Sequence, residues 1–202
     1  MRITALKETK AGRVALSLDG AYTASLDMLT VGEYGLCVGD ELDEEKLSEI
    51  LRLSQSRRAK SRAVDYLSYR AHTAAELKRK LLRHATEEDA DAAVARMEEL
   101  GMVDDRDFAV RYAEELFTLK GYGERRVRLE MQKKGLSRED IDAALEEKPD
   151  EKELIRTLLS GKLARFVSDP DGRDKLVSRL LSRGFDWDDI SAVLNEEEYK
   201  AE

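Results

Sequence analysis

Cysteine is nearly missing from this chain. Cys37 stands alone among 202 residues, so no disulfide can close within the chain, and a reducing compartment is expected. It has no histidine near it in sequence, and one cysteine is no argument for a nucleophile. The two histidines, His72 and His84, have no second histidine or cysteine at ligand spacing, so zinc is not expected. Only two prolines interrupt the chain, which suits helices. No apolar run approaches the roughly 20 residues that cross a bilayer, and the first residues form no basic, apolar leader. A cytoplasmic protein without membrane contact is therefore expected. There is no Ser/His/Asp order, no phosphate-cradling loop and no pair of carboxylates with a plausible site. The glycines of TVGEYGLCVGDEL do not follow a strand–loop–helix phosphate pattern. These absences argue against an enzyme and against any cofactor or metal. Excess positive charge is missing too: the net charge is −8, which ill suits a dedicated nucleic-acid binder, because phosphate neutralisation supplies most non-specific affinity.

Charge as such is plentiful. Charged residues make up 39 % and hydrophobic residues 42 %, against a usual charged share of about 25 %. The apolar residues are periodic, so disorder is not expected. Residues 107–147 read as a three-helix unit. Phe108, Tyr112 and Leu116, with Ala109, Ala113 and Phe117, recur at spacings of three and four and make one apolar face. Gly121 and Gly123 break that helix. Val127, Leu129 and Met131 mark a second helix, which Gly135 ends as a left-handed cap. Ser137 caps a third helix, with Glu139 and Asp140 in its first turn and Ile141, Ala144 and Leu145 buried. Such a unit has too little interior to stand alone.

The chain supplies copies. KKGLSREDIDAAL (133–145) aligns without gaps on SRGFDWDDISAVL (182–194), a shift of 49 positions that pairs Gly135 with Gly184 and Ile141 with Ile190. RHATEEDADAAV (83–94) fits with one residue deleted, Ala90, Ala93 and Val94 taking the places of Ile141, Ala144 and Leu145. Three units at a period near 50 residues indicate a repeat architecture with shared cores. The expected class is mainly α: three tandem three-helix repeats in a curved, elongated body, with a small N-terminal β-hairpin or three-strand segment. The divisions expected are residues 1–42 (β-rich), 43–56 (linking helix, running on or kinking), 57–105, 106–149 and 150–197 (the repeats), and 198–202 (an acidic, frayed tail). In the β-rich part, Val14, Leu16 and Leu18 alternate with polar residues, and Ala11-Gly12 and Asp19-Gly20 are turn signals. TVGEYGLCVGDEL (30–42) reads as a connector. Asp43 starts a helix, Thr73 caps another with Glu76 at its third position, and Asp169-Pro170-Asp171-Gly172 reads as a turn.

Basic residues cluster. Arg125, Arg126, Arg128, Lys133 and Lys134 share the second helix of one repeat. Lys78, Arg79, Lys80 and Arg83 hold the same place in the first, and Arg173, Lys175, Arg179 and Arg183 in the third. One reading is a solvated face paired with Glu124 and Glu130. The other is a cationic ridge facing DNA phosphate or an acidic protein surface. Recurrence in all three repeats favours the ridge. Arg57, Arg58, Lys60, Arg62 and Arg70 form a further cluster, equally readable as the solubilised face of a long helix. Tyr66, Tyr69 and Tyr122 could stack on bases, but core packing or groove lining is favoured. Trp187 reads as a core anchor in preference to an interface hot spot. Asp104-Asp105 reads as a helix cap and dipole partner.

YLSYRAHTAAELKRKL, LGMVDDRDFAVRYAEEL, KGYGERRVRLEMQKKGL and SRLLSRGFDWDDI together resemble the recurring motifs of the RecX regulatory proteins, over residues 57 to 197. The resemblance implies a bacterial, cytoplasmic, non-enzymatic regulator of DNA repair and recombination within the SOS response. It implies a partner, the RecA recombinase filament with its single-stranded DNA, engaged along the filament groove and in most cases inhibited. The basic residues named above, Arg57 to Arg183, are then the residues that contact the filament. A monomer with weak direct DNA binding is expected. Two departures stand out: His84-Ala85 replaces the usual Lys-Gly at the first repeat's turn, and the chain is acidic. The alternative is a stand-alone helix-turn-helix-like nucleic-acid binder, or a general protein-interaction repeat.

Overall fold

A computed structural model describes residues 1–10, 12–167 and 172–201, with side chains up to Glu196. The expected turn at 169–171, Ala11 and the side chains of the acidic tail lie outside the described residues. The chain divides into two compact units, Met1–Val103 and Asp104–Glu202.

The first unit opens with three antiparallel strands in the order β1 (Ile3–Glu8), β2 (Arg13–Leu18), β3 (Ala21–Asp27). The alternation of Val14, Leu16 and Leu18 puts all three side chains in the core, as a half-buried strand requires. Leu18 faces Ala21 across a two-residue turn. Asp19 and Gly20 adopt φ of 48° and 86°, the left-handed pair that a tight hairpin demands. The stretch expected as connector begins instead inside a short helix, α1 (Met28–Glu33). Asp27 makes that helix possible, its carboxylate accepting from Thr30 N at 2.9 Å and from Thr30 Oγ1 at 2.6 Å. Then α2 (Glu44–Tyr69) runs unbroken for 26 residues from its Asp43 cap. Its first half closes the sheet's core through Ile50, beside Ile3, Leu16, Leu26, Leu36 and Leu42. Its second half supplies Ala59 and Ala63 to a different core, with Leu77 and Leu81 of α3 (Ala74–Leu81) and Ala90, Ala93, Val94 and Met97 of α4 (Glu87–Glu99). Small alanines let the helices approach closely. Thr73 accepts from Glu76 N at 3.1 Å and caps α3.

The second unit begins with α5 (Asp105–Glu115), capped by Asp104, whose carboxylate accepts from Asp107 N. The helix widens into a π turn (Leu116–Lys120) and stops at Gly121, φ 65°. Next come α6 (Glu124–Lys134), closed by left-handed Gly135, and α7 (Arg138–Ala144), capped by Ser137. They bury Ala109, Ala113, Leu116, Phe117, Val127, Met131, Ile141 and Leu145 together. The third repeat is more broken: α8 (Glu151–Ser160), α9 (Ala164–Val167), α10 (Gly172–Ser182) and α11 (Trp187–Ala201). Its core joins Ile155, Leu158 and Leu163 to Leu180, Phe185 and Ile190. Leu154 packs against both cores. Each buried leucine stabilises by roughly 1.5–3 kcal/mol, and the two repeats of this unit share that gain. The aligned pairs Met131/Leu180, Ile141/Ile190 and Leu145/Leu194 are all buried.

Two aromatic expectations are corrected. Trp187 is 57 % exposed. It occupies the first position of α11, where a side chain projects outward, while Phe185 two residues earlier fills the core at 0 % exposure. Tyr69, at the end of α2, is 87 % exposed and neither packs in a core nor lines a groove. Tyr66 and Tyr122 do pack against their cores.

A candidate interaction groove between the second helices of two repeats

Three glycines build the joint between the repeats of the second unit. A Cβ on Gly123 would lie 2.7 Å from the Gly184 carbonyl oxygen, and one on Gly184 would lie 2.5 Å from the backbone nitrogen of Arg126. A Cβ on Gly121 would meet Leu158 at 2.7 Å. Backbones this close admit no side chain, and Gly184 also has φ of 93°. Gly123 N donates to Arg183 O at 3.0 Å. The start of α6 has no side-chain cap of its own. Instead Glu151, at the start of α8, accepts from Glu124 N at 2.5 Å. Burial raises that carboxyl's pKa, with Asp189 and Glu124 adding to the rise, against the hydrogen bond and Lys148.

The joint sets α6 beside α10 and leaves a groove of about 420 Å³ lined by Arg125, Arg126, Arg128, Leu129, Leu181 and Gly184, among others. Val127 and Met131 are buried at four-residue spacing, so Leu129 between them faces outward. Leu129 is 43 % and Leu181 37 % exposed. Exposed leucines beside arginines make an amphipathic surface, fitted to a protein segment with acidic and apolar residues.

The cations expected to form the ridge divide by what holds them. Arg128 donates to Glu124 at 2.6 Å and to Asp142 at 2.5 Å, and Lys148 also pairs with Glu124. The Arg128 guanidinium is held above its ordinary value, chiefly by Asp142, and Glu124 below its own, chiefly by Lys148. Arg126 reaches Glu130 at 2.9 Å and lies 5.5 Å over the Tyr122 ring. Lys133 shares Glu130 at 3.0 Å, and Lys134 sits 5.5 Å over Tyr112. Arg183 donates to the carbonyls of Lys120 and Gly121 at 2.5 and 3.1 Å, closing the end of the π turn. Arg179 stacks 4.4 Å over Phe166, and Arg173 donates to Asn195 at 2.9 Å. Lys175 on the same helix is exposed. Arg125 is the most open cation lining the groove. Its side chain is 68 % exposed and 3.7 Å from Asp186.

In the first unit, Lys78 bridges to Glu87 at 3.2 Å and Asp91 at 2.6 Å. Lys80 lies 4.9 Å over Tyr66, and Arg70 pairs with Glu76 at 3.1 Å. Arg57 ties α2 to α1 through Glu33 and, at 3.0 Å, Thr30 Oγ1. Arg79 and Arg83 are exposed, as are Arg58 and Lys60, and Arg62 is half-buried. Sequence reasoning missed the part of Leu129 and Leu181 in the surface. The signal was present in Leu129, two places from each buried neighbour. It also missed Arg13, whose position in a strand gives no hint that α2 comes near it.

Among the described residues no cluster of His, Cys, Asp or Glu could hold a metal ion, and no helix is long and apolar enough to cross a membrane.

Comparison with known proteins follows the same division. A family model described as "RecX, first three-helix domain" matches residues 59–97, and one described as "RecX, second three-helix domain" matches residues 104–145. A regulatory protein RecX of Lactobacillus delbrueckii subsp. bulgaricus is 32 % identical over 195 residues, covering 92 % of this chain and 70 % of that one. One from Chlorobaculum tepidum is 36 % identical over 153 residues, 71 % of this chain and 95 % of its own. A crystal structure of a regulatory protein RecX is 26 % identical with a TM-score of 0.70, covering 96 % of this chain and 98 % of that chain.

Proposed function

Given that the chain belongs to the RecX family, we propose that it regulates recombination by binding the RecA–DNA filament and restraining RecA activity. The family resemblance implies the partner. The observation that carries the contact is the α6–α10 groove, where Arg125 stands open beside exposed Leu129 and Leu181. Groove binding of this kind takes an acidic and apolar segment of the recombinase, with Arg125 steering and the leucines supplying buried area. Arg126, Arg128 and Arg183 hold the groove's walls in place and act on the partner through that shape. The protein has no catalytic role, and it works in the cytoplasm, where the filament forms.

The test is RecA-driven ATP hydrolysis on single-stranded DNA with this protein titrated in. Hydrolysis falls as the protein is added, and no change at a several-fold excess over RecA overturns the reading. Arg125→Glu combined with Leu129→Ala raises the protein concentration needed by about tenfold. Both side chains are exposed, so the fold survives. A wild-type response from that variant would remove the groove from the contact.

A further inference from the structure

Like charges gathered together repel unless an anion joins them. The first unit gathers three arginines. Arg13 opens β2, its Nε donating to Ser25 Oγ at 3.0 Å and its Nη2 to the Ser25 carbonyl. The guanidinium is thereby fixed across the β2–β3 pair. Asp27, opposite Arg13 in the register, donates its backbone N–H to Ser54 Oγ of α2 at 3.0 Å. That bond lays α2 against the end of β3. Arg58 and Arg62 follow Ser54 at successive four-residue steps, so they share its face. The Arg13 pKa is held below its ordinary value by burial first, then by Arg58, with Arg62 also lowering it and Asp27 and Tyr22 opposing.

No carboxylate answers this cluster. Asp27 is taken up by both donors of Thr30 and by Arg57 at 4.0 Å. Arg62 Nη1 is buried without a hydrogen-bond partner. Arg58 has no ion-pair partner among the described residues. We propose that Arg13, Arg58 and Arg62 form a phosphate-binding site at the junction of the sheet and α2, which takes the backbone of a nucleic-acid strand. Guanidinium forks match phosphate oxygens two at a time, and a phosphate in the cluster gives the orphan Nη1 its acceptor. Tyr22, 68 % exposed on β3, offers a ring on which a base of the same strand can stack. The site lies in the first unit, apart from the α6–α10 groove, and does not rest on the recombinase reading.

The experiment contains no recombinase. The full-length protein is titrated into a fluorescein-labelled oligothymidylate at several salt concentrations, and anisotropy is read. Arg58→Gln and Arg62→Gln each weaken binding several-fold and lower the salt slope by about 1. Inorganic tripolyphosphate competes with the oligonucleotide and raises the melting temperature of the wild type but not of the double variant. Should Arg62→Gln fail to fold, Arg58→Gln at its exposed position carries the test. Wild-type affinity and slope in both variants overturn the proposal. Stabilisation by tripolyphosphate with oligonucleotide binding unaffected by either variant overturns the nucleic-acid assignment and leaves a site for small polyanions.

Discussion

The two units spend their arginines in opposite ways. In the second, Arg128, Glu124, Lys148 and Asp142 form one linked set, and Arg183 is fixed on two carbonyls. Its cations are largely structural, and Arg125 is left open at the groove. In the first, Arg57 is similarly committed, but Arg13, Arg58 and Arg62 meet one another with no acid between them. Residue counts do not reveal this. Residues 56–106 hold 11 basic and 10 acidic side chains and residues 107–150 hold 9 and 11, nearly the same mixture. What differs is whether the fold brings the acid to the base. A cation that the fold has neutralised stabilises the protein; one it has left over can act on something else.

The contrast breaks most sharply at the glycines. Gly184→Ala forces a Cβ onto the backbone of Arg126 at a left-handed φ, and should destabilise the second unit by about 3 kcal/mol in chemical denaturation. Gly101→Ala, left-handed but with nothing within 4 Å, should cost about 1 kcal/mol. Equal losses would mean that the tight joint is not what holds the repeats of the second unit. A smaller effect sharpens the charge comparison. Arg128→Ala leaves Asp142 without its best partner and should cost about 1 kcal/mol, since the side chain is 37 % exposed and water screens it. Arg58→Ala removes repulsion and should change stability by less than about 0.5 kcal/mol, in the stabilising direction. If both cost alike, the division into committed and spare arginines fails.

Much of this was legible in the sequence because it is local. Helix caps at Asp43, Thr73, Asp104 and Ser137, the left-handed Gly135 and the Asp19-Gly20 turn depend on a few consecutive residues, and the structure has them. The 49-residue shift works because equivalent positions meet equivalent neighbours. Gly123 and Gly184 read as helix breaks, but not as the two sides of one contact. Trp187 looked like core because large aromatics usually are, and only Phe185's occupation of that core decides otherwise. The basic surface was legible as composition and not as geometry. Arg128 and Arg58 look alike in a helix, and an Asp142 or an Arg13 arriving from elsewhere makes one structural and the other available.

The smallest expected effect concerns single protons, and it separates the units by pH. His72 is buried, with Nδ1 2.9 Å from the Arg70 carbonyl oxygen and Nε2 unpartnered. Burial lowers its pKa from 6.5, with Arg70 and Lys80 adding to the fall. The unfolded chain therefore takes up the proton first, so the stabilising contribution is whole above pH 6.5 and is lost as pH falls below it. Glu124, held below 4.5 chiefly by Lys148, loses its contribution only as pH falls below that value. Glu151, raised by burial, acts the other way over the range just above 4.5, gaining a little stability on acidification. Amide hydrogen exchange, corrected for intrinsic rates, should show α2 and α3 opening more readily between pH 6.5 and 5 while α6 and α7 hold, and His72→Gln should flatten the first unit's response. Simultaneous loosening of both units in that window would place the sensitive proton somewhere other than His72 and erase the difference drawn between them.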